Sequence, residues 1–320
     1  MTPEVGAPIA VVVARAGRLP LGAAEAAAEA GGRALVIGSG AAEAAGALAG
    51  AHTVHWTEQD GFRPGHWSAQ LATVLAGSGP ILLPASPDGR DLAPRLAAVL
   101  RRPLLAGATR LLPDGAEVLR WGGRLGVELA VDGPFVATLQ PGVRGVDADH
   151  GAGCLHPLTL PPPPATPEVT TVSVADPEPA TVALAEAPRI LTAGAGIGRG
   201  ELTGPQAVAL LGRVAAGLGA SLGATRVVTD AGWVPAARQI GTTGVLVDPD
   251  LCVAFGVSGA AQHLGGLGQP RHLVSVNPDA SCPMTTAADL ALVTDAAALL
   301  AELAARLDPG VRPGAKEHDD

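Results

Sequence analysis

The sequence predicts an α/β protein of two domains, each built on a mostly parallel sheet with flanking helices. Three observations carry this reading. Short apolar runs alternate with Ala-rich helical stretches through the first hundred residues, the pattern of βαβ crossovers. The alternation starts afresh near Arg189. Between the two halves lies a proline-rich stretch, Pro161–Pro164 in a row with Pro167, Pro177 and Pro179 close behind, a composition that favours extended, semi-rigid backbone. At ~100–200 residues per domain, 320 residues suffice for two cores.

In the first half, Pro8–Arg15 reads as a buried strand, an apolar run with three successive valines and too short for a helix. Leu19–Ala30, rich in Ala and Glu, reads as a helix. Arg33–Gly38 is the second strand and Ala41–Leu48 the second helix. His52–Trp56 and Trp67–Leu75 form the third such pair. Pro80–Ala85 is the fourth strand, followed by a helix over Asp91–Leu100 with Asp91 as its N-cap. From Ala116 to Gly142 the pieces are strand-like and broken by Gly122-Gly123 and Asp132-Gly133. Asp-Gly between apolar runs signals a hairpin, so the first domain is expected to finish with antiparallel strands at one sheet edge. The expected divisions are a first domain over 1–155, a connector over 156–187, a second domain over 188–308 and a polar tail over 309–320. Within the connector, Val169–Val174 is expected to return to the first sheet as a strand.

In the second half, Arg189–Ala193 is a strand. Gln206–Leu218 is a helix with Val208, Leu211, Val214, Ala215 and Leu218 on one face. Strands follow at Thr225–Thr229, Leu251–Phe255, Leu273–Val276 and Leu290–Val293, with helices starting at Ser258 and after Asp295, the second running to Leu307. This is a doubly wound pattern.

Composition excludes several classes. Gly and Pro make up about 22% of the chain, below the ~25–30% of low-complexity sequences, so wholesale disorder is out. The net charge is −9, and Lys316 is the only lysine. A nucleic-acid binder needs a clustered basic footprint, and only Arg101-Arg102 are adjacent basic residues. Cys154, Cys252 and Cys282 are odd in number and lack CxxC spacing, which implies neither a disulfide framework nor a conventionally spaced iron–sulfur site. A reducing cytoplasm fits this usage. The N-terminus lacks the basic region of a signal peptide, and no apolar run approaches ~18 residues.

Two glycine turns follow strands. Gly38-Ser39-Gly40 has Glu43 at the third position of a dinucleotide fingerprint, and Gly194-Ala195-Gly196 has Arg199 there, so neither is complete. Each is read as a tight turn, but the glycine density from Gly194 to Gly200 also suits close approach of phosphates. Ser258-Gly259-Ala260-Ala261-Gln262-His263 follows a buried strand, and Ser258 is placed as the N-cap of the next helix. Its amides favour an anion; the bland reading is a capped helix with a satisfied histidine. Arg226, entering an apolar strand, needs an anion or a solvent mouth. Gln239-Ile240-Gly241-Thr242-Thr243-Gly244 could present hydroxyls and amides to a ring system, or be a turn. Asn277 and Asp295 stand at the carboxyl ends of predicted parallel strands, the edge where open α/β sheets bind ligands; Asp295 also reads as a helix N-cap. The lone Cys154-x-His156 and the pair His52 and His55 have too few partners for a metal site. There is no G-x-S-x-G and no P-loop.

Taken together, these segments resemble the α subunit of electron transfer flavoproteins. The strongest stretch is G-A-T-R-V-V-T-D-A-G-W-V-P from Gly223 to Pro235. It continues in Q-I-G-T-T-G (Gln239–Gly244), V-S-G-A-A-Q-H-L (Val257–Leu264), V-N-P-D (Val276–Asp279), C-P-M-T-T-A-A-D (Cys282–Asp289) and L-V-T-D (Leu292–Asp295). In the first half, L-P-A-S-P-D-G-R-D-L-A-P-R-L-A (Leu83–Ala97) and G-P-F-V-A-T-L-Q-P-G (Gly133–Gly142) are similar too.

The resemblance implies an N-terminal nucleotide-hydrolase-like α/β domain and a C-terminal doubly wound FAD-binding domain. It implies a heterodimer with a β subunit, no membrane insertion, and an electron carrier rather than an enzyme with its own substrate. Electrons would come from a dehydrogenase and leave singly for a quinone reductase or similar acceptor, the connector letting the FAD domain swivel between partners. By resemblance, Thr225 contacts the cofactor, Arg226 lies over the flavin ring and Thr243 stands near flavin N5. Gln239, Ile240, Gly241 and Thr242 share that loop. Ser258, Gly259, Ala260, Ala261, Gln262 and His263 wrap the cofactor, with the histidine near the flavin O2 edge. Asn277 and Asp295 lie at the adenosine end. Reduction places negative charge on the N1–O2 edge, which Arg226 and a donor from His263 would favour. The chain departs from the family where T-A-G-A-G (Thr192–Gly196) replaces S-G-G-R-G, putting Ala195 in place of an arginine, and where Thr242 replaces a frequent Gln. The resemblance extends, as an expectation, to a specialised actinobacterial subgroup associated with mycofactocin. The rival readings are an FAD-free nucleotide-binding scaffold, which Ala195 favours, and a nicotinamide-dependent oxidoreductase, which rests on the incomplete glycine motifs.

Overall fold

The computed structural model describes residues 5–120, 125–146, 153–165, 167–169, 172, 178–268 and 270–307. The chain forms two compact units, Met1–Ser173 and Val174–Asp320.

The first unit begins with β1 (Ile9–Ala14), α1 (Ala23–Glu29), β2 (Arg33–Gly38), α2 (Ala41–Ala47), β3 (Thr53–Glu58), α3 (Pro64–Leu75), β4 (Ile81–Pro84) and α4 (Pro87–Leu100). It continues through β5 (Leu104–Leu112), β6 (Gly115–Arg120), β7 (Leu125–Ala130), β8 (Val136–Leu139) and β9 (Cys154–Pro157). One sheet results, in the order β7-β6-β5-β8-β4-β1-β2-β3-β9. Its strands are parallel except for β5-β6-β7, which pair antiparallel at one edge. Alternate residues of β1 feed two cores. Ala10, Val12 and Ala14 pack with Ala26, Ala27, Ala44 and Leu48 of and beyond α1 and α2. Ile9, Val11 and Val13 pack with Trp67, Leu71, Leu92 and Leu96 of α3 and α4. Strands covered on both faces read as continuous apolar runs, which is why β1, β2 and β4 are legible in the sequence.

Several expectations change here. Helix α1 starts at Ala23, after a left-handed Gly22, not at Leu19. Helix α4 starts at Pro87, and its cap is Ser86, whose hydroxyl accepts from the Gly89 amide at 3.2 Å. Asp91 instead pairs with Arg95 one turn on. The hairpin expected at Asp132-Gly133 is not one: β7 leads from there to β8, which lies between β5 and β4. The two-residue turn Pro113-Asp114 joins β5 to β6, which pair antiparallel, and β6 pairs antiparallel with β7 in turn. The strand that closes the far edge is β9, parallel to β3. Of the expected strand Val169–Val174, residues 170, 171, 173 and 174 lie outside the described residues, and Val169 and Val172 are not in a strand. The expected tail 309–320 and the Gly122-Gly123 break also lie outside them.

The second unit contains β10 (Arg189–Ala193), α5 (Gly204–Gly217), β11 (Ser221–Ala224), α6 (Arg226–Asp230), β12 (Leu251–Phe255), α7 (Ala261–Leu264), β13 (His272–Val276), α8 (Pro283–Ala287), β14 (Leu290–Leu292) and α9 (Ala296–Leu307). Its five strands are parallel in the order β11-β10-β12-β13-β14. Helices α5 and α9 cover one face over Leu191, Phe255 and Val276. Cys252 and Ala254 point to the other, with Met284. Helix α5 opens with a capping box, Thr203 to Gln206, ahead of Pro205.

The strand expected at Thr225–Thr229 is a correction of register and type. Strand β11 ends at Ala224, opposite the last residue of β10, Ala193. Beyond it no neighbour remains for a ladder, and the β-branched run turns into α6 despite its propensity. Likewise α7 starts at Ala261, not Ser258, and Ala260 precedes it without a side-chain cap. Among the described residues, no helix is long and apolar enough to cross a membrane.

Candidate functional site

A cleft of about 620 Å³ opens at the carboxyl ends of all five strands of the second unit. Gly194, Ala195, Gly196 and Arg199 follow β10. Thr225, Arg226, Val227 and Asp230 follow β11, with Gln239, Ile240, Gly241 and Thr243 beyond them. Gly256 to Ala260, Gln262 and His263 follow β12. Asn277, Pro278 and Asp279 follow β13, and Asp295 and Ala296 follow β14. The connection from β10 runs to β11 on one side, and that from β12 runs to β13 on the other. The cleft therefore sits where strand order reverses, the place where open parallel sheets bind ligands.

Its floor is bare backbone. The Gly194 amide donates to the Phe255 carbonyl at 2.9 Å, and the Gly196 amide to the Gly256 carbonyl at 3.0 Å. A Cβ at Gly194 would stand 2.2 Å from the Gly256 oxygen. Gly256 itself has φ +63°, a conformation that favours glycine. So the two turns touch through main chain, and no side chain fills the space above them.

Around this floor the polar groups are held by one another. Arg226 opens α6, and its Nε donates to Asp230 Oδ2 at 3.2 Å. Thr229 Oγ1 donates to Gln239 Oε1 at 2.8 Å, and Gln239 Nε2 donates to Thr243 Oγ1 at 3.1 Å. Gln239 thus ties its loop to α6, while Thr243, accepting from it, keeps its own hydrogen for the cleft. Asn277 Nδ2 donates to the Val257 carbonyl at 2.8 Å, and its Oδ1 accepts from the Asp279 amide at 3.0 Å. Asp295 Oδ1 accepts from the Ala298 amide at 2.8 Å and caps α9, the dual placement expected for it. Ser258 is exposed on the cleft wall. Gly259, at φ +82°, lies where a Cβ would meet the Met284 amide at 2.3 Å, so contact between two loops explains that glycine.

His263 is the singular group. It is buried, and its Nδ1 lies 3.0 Å from the Ile240 carbonyl. A carbonyl only accepts, so Nδ1 carries the proton. Nε2, also buried, has no partner among the described residues. Burial holds the imidazole below its ordinary pKa, partly offset by the Ile240 hydrogen bond. The resting ring is therefore neutral and presents an acceptor at Nε2, where the sequence reading expected a donor. It donates there only once protonated.

Comparison with known proteins identifies the family of both units. Residues 183–268 match the electron transfer flavoprotein FAD-binding domain, and residues 18–177 match the electron transfer flavoprotein domain. The α subunit of the electron transfer flavoprotein of Syntrophomonas wolfei is 31% identical over 274 residues, covering 82% of this chain and 85% of that protein. That of Paracoccus denitrificans is 33% identical over 274 residues, covering 83% and 86%. Protein FixB of Bradyrhizobium diazoefficiens is 34% identical over 247 residues, covering 74% and 65%. The chain belongs to the electron transfer flavoprotein α-subunit family. These matches place it at the level of the family, not of the mycofactocin-associated subgroup.

The cleft fits the cofactor of an electron transfer flavoprotein on its own geometry. Its volume is in the ~300–1,000 Å³ range of small-molecule sites. It offers a bare glycine floor, a hydroxyl hydrogen at Thr243, and a buried imidazole nitrogen that no described residue satisfies. Unsatisfied buried polar atoms are costly, and a ligand is the natural partner for this one. Of the residues expected to line the site, all but Thr242 and Ala261 do so. The Thr242 amide donates to the Gln262 carbonyl at 2.8 Å, and Ala261 is an exposed residue of α7. The site residues expected from the sequence did not include Val227, Asp230, Gly256, Val257, Pro278, Asp279 and Ala296, nor the turn residues Gly194, Ala195, Gly196 and Arg199, all of which line the cleft. Gly256 carried a signal, a glycine directly after a buried strand; Asp230 carried one in its spacing of four from Arg226.

The first unit's glycine turn is different. The amides of Gly40 and Ala41 both donate to the carboxylate of Glu58, the second at 2.9 Å. The position where a dinucleotide phosphate would sit is filled by the chain's own anion. The nicotinamide reading loses its first glycine motif here. Its second belongs to the cleft of the FAD-binding domain.

Proposed function

We propose that this chain is the FAD-holding subunit of a heterodimeric electron carrier, paired with a β subunit as its family normally is. It takes electrons from a dehydrogenase and delivers them singly to a quinone reductase or similar acceptor. The observation that carries the FAD site is the buried, unpartnered Nε2 of His263 in a glycine-floored cleft at the strand switch point.

Bound FAD supplies the one- and two-electron chemistry. This chain's residues hold and bias it. Thr225, Arg226 and Thr243 take one side of the cleft, Ser258, Gly259, Ala260, Gln262 and His263 the other, and Asn277 and Asp295 the far end. Gln239, Ile240 and Gly241 position Thr243 and His263. The Arg226 guanidinium supplies positive charge, and Asp230 restrains it through Nε, leaving its other nitrogens free. Negative charge arriving in the cleft raises the proton affinity of His263 at Nε2, turning an acceptor into a charged donor. Both effects favour the reduced state, and neither requires a nucleophile or general base.

The test is a visible spectrum of the chain purified with its β subunit, followed through stepwise reduction. A stoichiometric flavin that accepts electrons one at a time supports the reading. A colourless assembly that takes up no added FAD refutes it and favours the scaffold reading.

A further inference from the structure

Five charged side chains line the cleft: Arg199, Arg226, Asp230, Asp279 and Asp295. Four already have partners inside the protein. Arg226 and Asp230 pair with each other. Asp279 Oδ1 accepts from the amide and hydroxyl of Ser281 at 2.8 and 2.7 Å. Asp295 caps α9. Arg199 alone makes no hydrogen bond or ion pair with any described residue.

Its place gives this meaning. Arg199 ends the short helical turn Ala195–Arg199 directly after β10. The start of that turn is the bare backbone where Gly194 and Gly196 meet Gly256. In doubly wound sheets a diphosphate lies against such a glycine turn, because peptide amides can approach it closely. A guanidinium on the same turn adds charge and a forked donor set that matches phosphate oxygens. Ala195, exposed on the same wall, contributes no charge.

We propose that Arg199 binds the diphosphate of the ligand, and that its guanidinium has no partner among the described residues because the phosphate is its partner. This rests on the FAD reading of the cleft. It makes Arg199 a ligand-binding residue that acts on affinity and not on the ring.

The experiment uses the full chain in the assembly in which it purifies, freed of flavin. It is titrated with FAD, with ADP, which keeps the diphosphate, and with riboflavin, which has no phosphate. Wild type, R199Q and the double variant A195R/R199Q are compared at low and high salt. R199Q is expected to weaken FAD and ADP by about tenfold or more, to leave riboflavin within about twofold, and to flatten the salt dependence. A195R/R199Q returns a guanidinium to the same turn and is expected to recover most of the loss. FAD affinity unchanged in R199Q overturns the proposal, as does an equal loss for riboflavin. If the wild type binds ADP through Arg199 but takes no FAD, the phosphate role stands and the flavin reading falls. If it binds neither, both fall.

Discussion

Gly194→Ala tests whether the cleft floor is a backbone contact. The φ and ψ of Gly194 are −103° and 169°, extended values that alanine adopts freely, so conformational strain contributes nothing. The cost is all contact. The new Cβ would lie 2.2 Å from the Gly256 oxygen and 2.6 Å from the Gly256 carbonyl carbon and Val257 Cα. Ordinary contact begins near 3.4 Å, so the two turns must part by about 1 Å. That separation breaks the hydrogen bonds from Gly194 to Phe255 and from Gly196 to Gly256, worth about 1 kcal/mol each. Overpacking adds about 1–3 kcal/mol. The expected loss is about 3–5 kcal/mol, or roughly 9–15 °C in Tm at about 3 °C per kcal/mol. The control is Gly232→Ala, where φ is +73° and no atom lies within 4 Å of the new methyl; only the left-handed backbone costs there, about 1 kcal/mol. Urea unfolding and calorimetry of both variants give the comparison. If G194A loses no more than G232A, the floor is not a rigid backbone contact and the account of the cleft is wrong.

The remaining predictions are brief. Because burial depresses the His263 pKa, the unfolded chain binds that proton more readily than the folded one. Stability is then full above about pH 6.5 and falls as pH drops through the depressed value; His263→Asn should fall less steeply in urea titrations between pH 7.5 and 5, and identical slopes would count against a buried neutral ring. Cys252 is buried, with its thiol pushed up to about 11 by burial, and Cys282 is buried while Cys154 is exposed. Alkylation of the native chain followed by mass spectrometry should modify Cys154 alone, and modification of Cys252 at a comparable rate would contradict the packing of β12. Glu58→Ala uncaps Gly40 and Ala41 and should cost about 1 kcal/mol; a midpoint equal to the wild type would mean that the carboxylate does not hold that turn.

Local pattern in the sequence determined most elements of this protein. Arg189–Ala193 and Leu251–Phe255 are strands to the residue, since short, mostly apolar runs are buried on both faces of a covered parallel sheet. The order of motifs also identified the family, because each segment at a strand's carboxyl end carries its own recognisable composition. The tertiary structure decided everything that depends on a distant partner. Thr225–Thr229 has strand propensity, but β10 ends at Ala193, and a ladder without a neighbour gives way to a helix. Asp132-Gly133 has the composition of a hairpin, yet β8 inserts between β4 and β5, where it covers more apolar surface than an edge position would. Whether a glycine turn is open or filled depended on Glu58, eighteen residues from Gly40. Whether His263 offers a donor or an acceptor depended on the Ile240 carbonyl, twenty-three residues away. That Arg199 has no partner among the described residues is a property of the whole cleft, since a side chain is unpaired only relative to what is folded around it.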